Sequence, residues 1–180
     1  MKKQIYLILL LVLPFIGNSQ TIDKEQLRSY FLESIQRKSA LDSFLTLMDK
    51  KQNLSTYEEC YLGICQAIKI QYMSGMWSKY KMLDKSRDNI HKAVCRAPQD
   101  AEIRFIRFML EHNIPAFLGM SGDIHSDLTF IFDHPAFLDE SPDLKRMAMD
   151  YMITSKRCSQ DQIAILERSI NDMKKQYAER

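Results

Sequence analysis

The sequence predicts an all-α fold of antiparallel helical hairpins, about eight helices stacked in one domain. Apolar residues recur at spacings of three and four along most of the chain, and no strand-like alternation competes with them. Helix-start chemistry punctuates those stripes, most clearly at Ser55 with Glu58 and at Ser141-Pro142-Asp143. The third observation is residues 97–118 (APQDAEIRFIRFMLEHNIPAFL), whose interior is apolar on nearly every side through Ile103, Phe105, Ile106, Phe108, Met109 and Leu110. Only Arg104, Arg107 and Glu111 interrupt that surface, within one sector about 60° wide at 100° per residue. A helix apolar almost all round is one that neighbouring helices enclose.

Taken in order, residues 22–36 carry Leu27, Tyr30, Phe31 and Ile35 at helical spacing. Ser39 is a cap for a second helix that turns Leu41, Phe44, Leu45 and Met48 inward. Ser55 and Glu58 have the capping-box spacing and open a third helix with the stripe Tyr57, Tyr61, Ile64, Ile68 and Tyr72. Ser74-Gly75 breaks that run, and Trp77, Tyr80, Leu83, Ile90 and Val94 carry the next helix up to Ala97. Pro98 disfavours helical geometry at Ala97 and fixes the boundary. The central helix then runs from Asp100 to Asn113-Ile114-Pro115.

The connection after it, residues 114–120, is mostly apolar and is expected to cover the core or line a cavity. Asp123 is read as the cap of a helix with Ile124, Leu128 and Ile131 on one face, ended by His134-Pro135. Pro115-Ala116-Phe117-Leu118 recurs as Pro135-Ala136-Phe137-Leu138, and both are read as proline-started turns that push a Phe-Leu pair into a groove. Ser141-Pro142-Asp143 starts a helix that ends near Ser155. Ser159 with Gln162 opens the last one, with Ile163, Leu166, Ile170, Met173 and Tyr177 as its stripe. Two heptads are too few to argue a coiled-coil dimer from that stripe, so docking within the chain is expected and the oligomeric state is left open.

Lys2 and Lys3, an apolar run over residues 5–16 and small residues before a cut after Ser19 form the pattern of a secretory signal peptide. The run is well short of the ~20 residues of a membrane-spanning helix. The chain therefore divides into residues 1–19, a signal peptide, and residues 20–180, one exported helical domain with no membrane span. A domain of that size buries roughly 70% of its unfolded surface and stabilises a core without staples. Without Lys2 and Lys3, basic and acidic residues balance at 23 each, and no basic block offers a nucleic-acid surface. Cys60, Cys65, Cys95 and Cys158 allow three disulfide pairings, or buried free thiols, and their spacing excludes a zinc motif.

The junction Ala97-Pro98-Gln99-Asp100-Ala101-Glu102 is similar to the turn between successive tetratricopeptide repeats, and Leu62-Gly63 resembles the Leu-Gly of the first helix in such a repeat. In that family proline follows the Leu-Gly by about 25 residues, whereas Pro98 follows Gly63 by 35, and Phe108 stands where a small residue belongs. The resemblance covers about a third of the chain. It implies a binding surface of stacked hairpins with no catalytic residues. The chain as a whole also resembles small exported helical proteins that carry no assigned activity.

Arg104, Arg107 and Glu111 are the leading polar candidates, with Asp123 and Asp127 as carboxylate partners one helix on. Enclosed guanidiniums need such partners, which gives a structural ion-pair network, or they hold an anionic ligand bidentately. His125 and Asp127 are the weak metal candidates, since a helix turns His125 about 160° away from Asp127. No nucleophile elbow, Cys–His signature or glycine-rich phosphate loop is present, and nothing calls for a cofactor. The expected function is that of an exported, non-catalytic interaction module. It would dock a peptide, a protein partner or a small ligand in a groove beside the central helix and the Phe117 and Phe137 turns. The rival is an envelope enzyme or anion binder that uses Arg104, Arg107, Asp123 and Asp127 around an apolar pocket.

Overall fold

The structure, a computed structural model, describes residues 21–135 and 141–178. The signal-peptide reading of residues 1–19, and Phe137 with the second proline-started turn, lie outside them. Among the described residues there are eight α-helices and no strand. They are α1 (Lys24–Gln36), α2 (Lys38–Asp49), α3 (Thr56–Lys69), α4 (Met76–Arg96), α5 (Ala101–Asn113), α6 (Ile124–Asp133), α7 (Pro142–Thr154) and α8 (Gln160–Ala178). Single 3-10 turns, Ile70–Tyr72 and Ala116–Leu118, follow α3 and α5. No helix among the described residues is long and apolar enough to cross a membrane.

Each odd-numbered helix packs on the even one that follows it, which makes four hairpins. The first helices of the first three hairpins also pack on one another, α1 on α3 and α3 on α5. α5 is enclosed as its composition requires: Ile103, Phe105, Ile106 and Phe108 are fully buried, and Met109 and Leu110 nearly so. Its start is set by Asp100, whose carboxylate accepts the amides of Glu102 and Ile103, both at 3.0 Å. The capping box at Ser55 is complete, with the Glu58 amide donating to Ser55 Oγ at 3.3 Å and the Ser55 amide to Glu58 Oε2 at 2.8 Å. Ser141 caps α7, and Ser159 and Gln162 cap each other at the head of α8.

Four local expectations are corrected. Ser39 lies inside α2, which begins one residue after the Arg37 that separates it from α1 and has no side-chain cap. Asp123 occupies the cap position of α6 without capping it, because its carboxylate turns to Arg107 instead. Phe117 does not enter a groove: it is 86% exposed, while Leu118 beside it packs on the core. Trp77 and Tyr80 stand on an exposed face of α4 rather than in its buried stripe.

α3 and α4 form the closest hairpin, and Gly63 is the reason. A Cβ there would sit 2.6 Å from Ile90 Cγ1 and 2.8 Å from the carbonyl oxygen of Ser86. The same approach lets Ser86 Oγ donate to the Gly63 carbonyl at 2.7 Å and Asn89 donate to Gln66 at 2.9 Å, so these buried side chains find partners across the seam. The long interval between Gly63 and Pro98 is taken up by α4, which runs for 21 residues. Gly63→Ala is expected to destabilise the protein by about 1–3 kcal/mol through overpacking, despite the better helix propensity of alanine. Urea unfolding of the variant against the parent measures this.

Candidate functional site

A groove of about 950 Å³ opens between α1 and α7. Its apolar walls come from Phe31, Leu32 and Ile35 of α1, Ile64 and Ile68 of α3, Met109 of α5 and Met147 of α7. Every residue lining it belongs to α1, α3, α5 or α7 or to the Ser141 cap, that is, to the first helix of a hairpin. Helical spacing explains the supply: α1 presents Ile35 and Leu32 beyond the buried Leu27 and Phe31, so its apolar stripe is wider than the core can cover. The rim carries Glu25, Glu33, Asp143 and Asp150 against Arg28 and Arg146.

Tyr151 sets the position of α7. Its hydroxyl donates to the Met109 carbonyl at 3.2 Å and accepts from Asn113 at 2.6 Å. Its ring meets Phe105, Phe108 and His112 edge-on. Burial pushes this phenol up to about 12, so it stays a donor across the physiological range.

The Arg104, Arg107, Glu111, Asp123 and Asp127 cluster is assembled between α5 and α6. Asp127 is fully buried and takes Arg107 in a two-pronged bond, Nε and Nη2 each at 2.7 Å. Arg107 Nη1 lies 3.2 Å from Asp123, so all three of its nitrogens are engaged. Arg104 reaches Asp127 at 3.3 Å, gives its Nε to the Pro98 carbonyl at 2.7 Å and lies over the Phe130 ring. Glu111 accepts the Asp123 amide at 2.9 Å. Burial raises the carboxyls of Asp127 and Glu111 above their ordinary values, against the pull of the arginines. An anionic ligand would have to displace Asp127 from both guanidiniums. His125 is exposed, whereas Asp127 is fully buried. Among the described residues no three His, Cys, Asp or Glu side chains gather as a metal site.

Two fully buried carboxylates were missed in the sequence. Glu102, on the first turn of α5, is fully buried, yet it accepts Arg28 Nη2 at 2.6 Å and Nε at 3.1 Å, pairs with Lys24 at 3.1 Å and accepts the Tyr61 hydroxyl. It reads as an ordinary first-turn acid; the available signal was Arg28, which follows Leu27 and precedes Phe31 on the apolar face of α1. Glu58, also fully buried, accepts the Ile22 amide at 2.9 Å and Lys51 at 2.5 Å besides its capping bond. Burial opposes its charge, but those donors prevail and hold its pKa below the ordinary value.

All four cysteines are unpaired thiols. Burial drives Cys60 far above the usual thiol range and pushes Cys65 up to about 12, so neither supplies a thiolate nucleophile. No protein family, curated protein or solved structure matches this chain.

Glu102→Gln removes the buried countercharge of Arg28, which keeps its contact with the exposed Glu25, and should cost about 3–5 kcal/mol, whereas Glu102→Met combined with Arg28→Met should recover much of that loss. Denaturant titration of the two variants checks it. Glu58 stabilises the fold above its unfolded pKa, near 4.5, and that contribution is lost as pH falls through the lower folded value. The melting temperature of Glu58→Gln is therefore expected to lie below that of the parent at pH 7 and to converge with it below about pH 4.

Proposed function

We propose that this protein is an exported, non-catalytic interaction module of tetratricopeptide-like hairpins, and that it holds a peptide segment in the groove between α1 and α7. The observation that carries this reading is the make-up of the groove wall, drawn only from the first helices of the hairpins. In a stack of hairpins those helices form the inner face, on which an extended or helical ligand lies across several repeats. The exported setting rests on the sequence pattern of residues 1–19.

The lining supports one class of ligand. Ile35, Leu32, Ile68 and Met147 offer an apolar trough to one face of an amphipathic helix. Of the four carboxylates around it, Glu25 pairs with Arg28, Glu33 with Arg37 and Asp150 with Arg146, while Arg28 is also met by Glu102 beneath it and Asp143 adds an acid. A cationic amphipathic peptide fits that surplus of acids. The opening beside Arg107, Glu111 and Asp123 is smaller, about 330 Å³, and Asp127 already holds both the Arg104 and the Arg107 guanidinium.

A fluorescein-labelled helical peptide of leucine and lysine, leucines on one face, is the probe. Anisotropy should report micromolar binding that weakens more than about tenfold in Ile35→Asp, as expected when a charge enters an apolar contact. Ile35 is exposed, so the melting temperature should stay within a degree or two of the parent. Binding that is absent, or indifferent to Ile35→Asp and Met147→Asp, would sink the groove as the docking site.

A further inference from the structure

The amino-terminal half of α4 reaches the core only at its edge. Every fully buried residue of that helix lies from Ser86 onward, and of residues 76–85 Leu83 packs partly against the core. At the tip, Met76 is 89% and Trp77 68% exposed, with Tyr72 and Tyr80 exposed beside them. The Trp77 and Tyr80 rings stack at 5.9 Å, and Lys81 Nζ stands 5.4 Å from the Trp77 ring centre. Helical spacing gathers Met76, Tyr80, Trp77 and Lys81 in one sector about 140° wide. Gly75, at φ +81°, turns the chain sharply into this helix and offers no capping side chain.

Charge is concentrated in the same place. Residues 69–87 hold Lys69, Lys79, Lys81, Lys85 and Arg87 against a single acid, Asp84, in a chain whose charges balance as a whole once Lys2 and Lys3 are set aside. Lys69 is paired with Asp42 of α2, which leaves the three lysines of α4 nearest the aromatic tip. Asp84 stands two turns further along, about 10 Å from Trp77 along the axis.

Exposed large apolar side chains gathered on one helix tip mark an interaction surface, and their chemistry points to one kind of partner. Tryptophan and tyrosine prefer the headgroup level of a bilayer, methionine the acyl boundary below it, and lysines around them meet lipid phosphates. We propose that Tyr72, Met76, Trp77 and Tyr80, with Lys79, Lys81 and Lys85 around them, dock the protein peripherally on an anionic phospholipid surface.

Trp77 is the only tryptophan in the chain, so its emission reports this tip and no other segment, including the apolar run of residues 5–16. The full chain is titrated with vesicles of phosphatidylcholine and phosphatidylglycerol in equal parts. The emission should shift to the blue, become quenchable by lipids brominated in the acyl chain, and do neither with phosphatidylcholine alone. Lys81→Gln and Lys85→Gln should each weaken the transition about fivefold, and Met76→Ser with Tyr80→Ser should abolish it while the melting curve stays unchanged. Emission that stays at its solvent-exposed wavelength with anionic vesicles would overturn the proposal. So would a shift that persists in the Met76→Ser/Tyr80→Ser variant, or one produced by an acidic protein such as polyglutamate-tagged carrier while anionic vesicles produce none.

Discussion

The packing of this protein depends on a carboxylate with no access to water. Glu102 begins α5, the helix that the others enclose, and its two oxygens are claimed by Arg28 and Lys24 of α1 and by Tyr61 of α3. A lone charge there would cost several kcal/mol. With three donors converging on it, the same charge becomes a directional tie among the first helices of three hairpins. Apolar contacts alone tolerate sliding of one helix along another, because any leucine-sized residue fills a given hole about as well. Four donor atoms on one carboxylate do not tolerate it. Glu102 thus fixes the register in which α1, α3 and α5 lie side by side, and with it the shape of the groove wall.

The opposite charged seam of α5 behaves differently. Arg104 and Arg107 meet Asp127 between α5 and α6, at the edge of the enclosed region, and both arginines keep some exposure. That pairing joins the two helices of one hairpin, whereas Glu102 joins successive hairpins. The two networks sit on different sectors of the same helix, which is how α5 can be apolar on most of its surface and still be oriented about its own axis.

Much of this was legible in the sequence, and what was not has identifiable causes. The enclosure of α5, its start at Asp100, the capping box at Ser55 and the proline-started α7 were written in local chemistry. Local patterns specify such features because the interacting atoms lie within one or two turns. Asp127 as the partner of Arg107 was also readable, since one short connection separates their helices. Glu102 was not, because its partners lie 74 and 41 residues away in the chain and nothing in its own neighbourhood distinguishes it from a solvated first-turn acid. Phe117 and Trp77 failed for the converse reason. Large apolar side chains are assigned to a core by default, and only the finished packing reveals that the core is already full.

Those surplus apolar residues fall into two sets with different surroundings. Ile35, Ile68 and Met147 belong to first helices and line a concave groove with a mostly acidic rim. Met76, Trp77 and Tyr80 belong to a second helix and stand exposed among lysines. The difference in charge between the two surroundings is what separates the two docking proposals, a cationic ligand for the first and an anionic surface for the second. The two sets share no residue, so the docking proposed at α4 uses none of the side chains that line the α1–α7 groove.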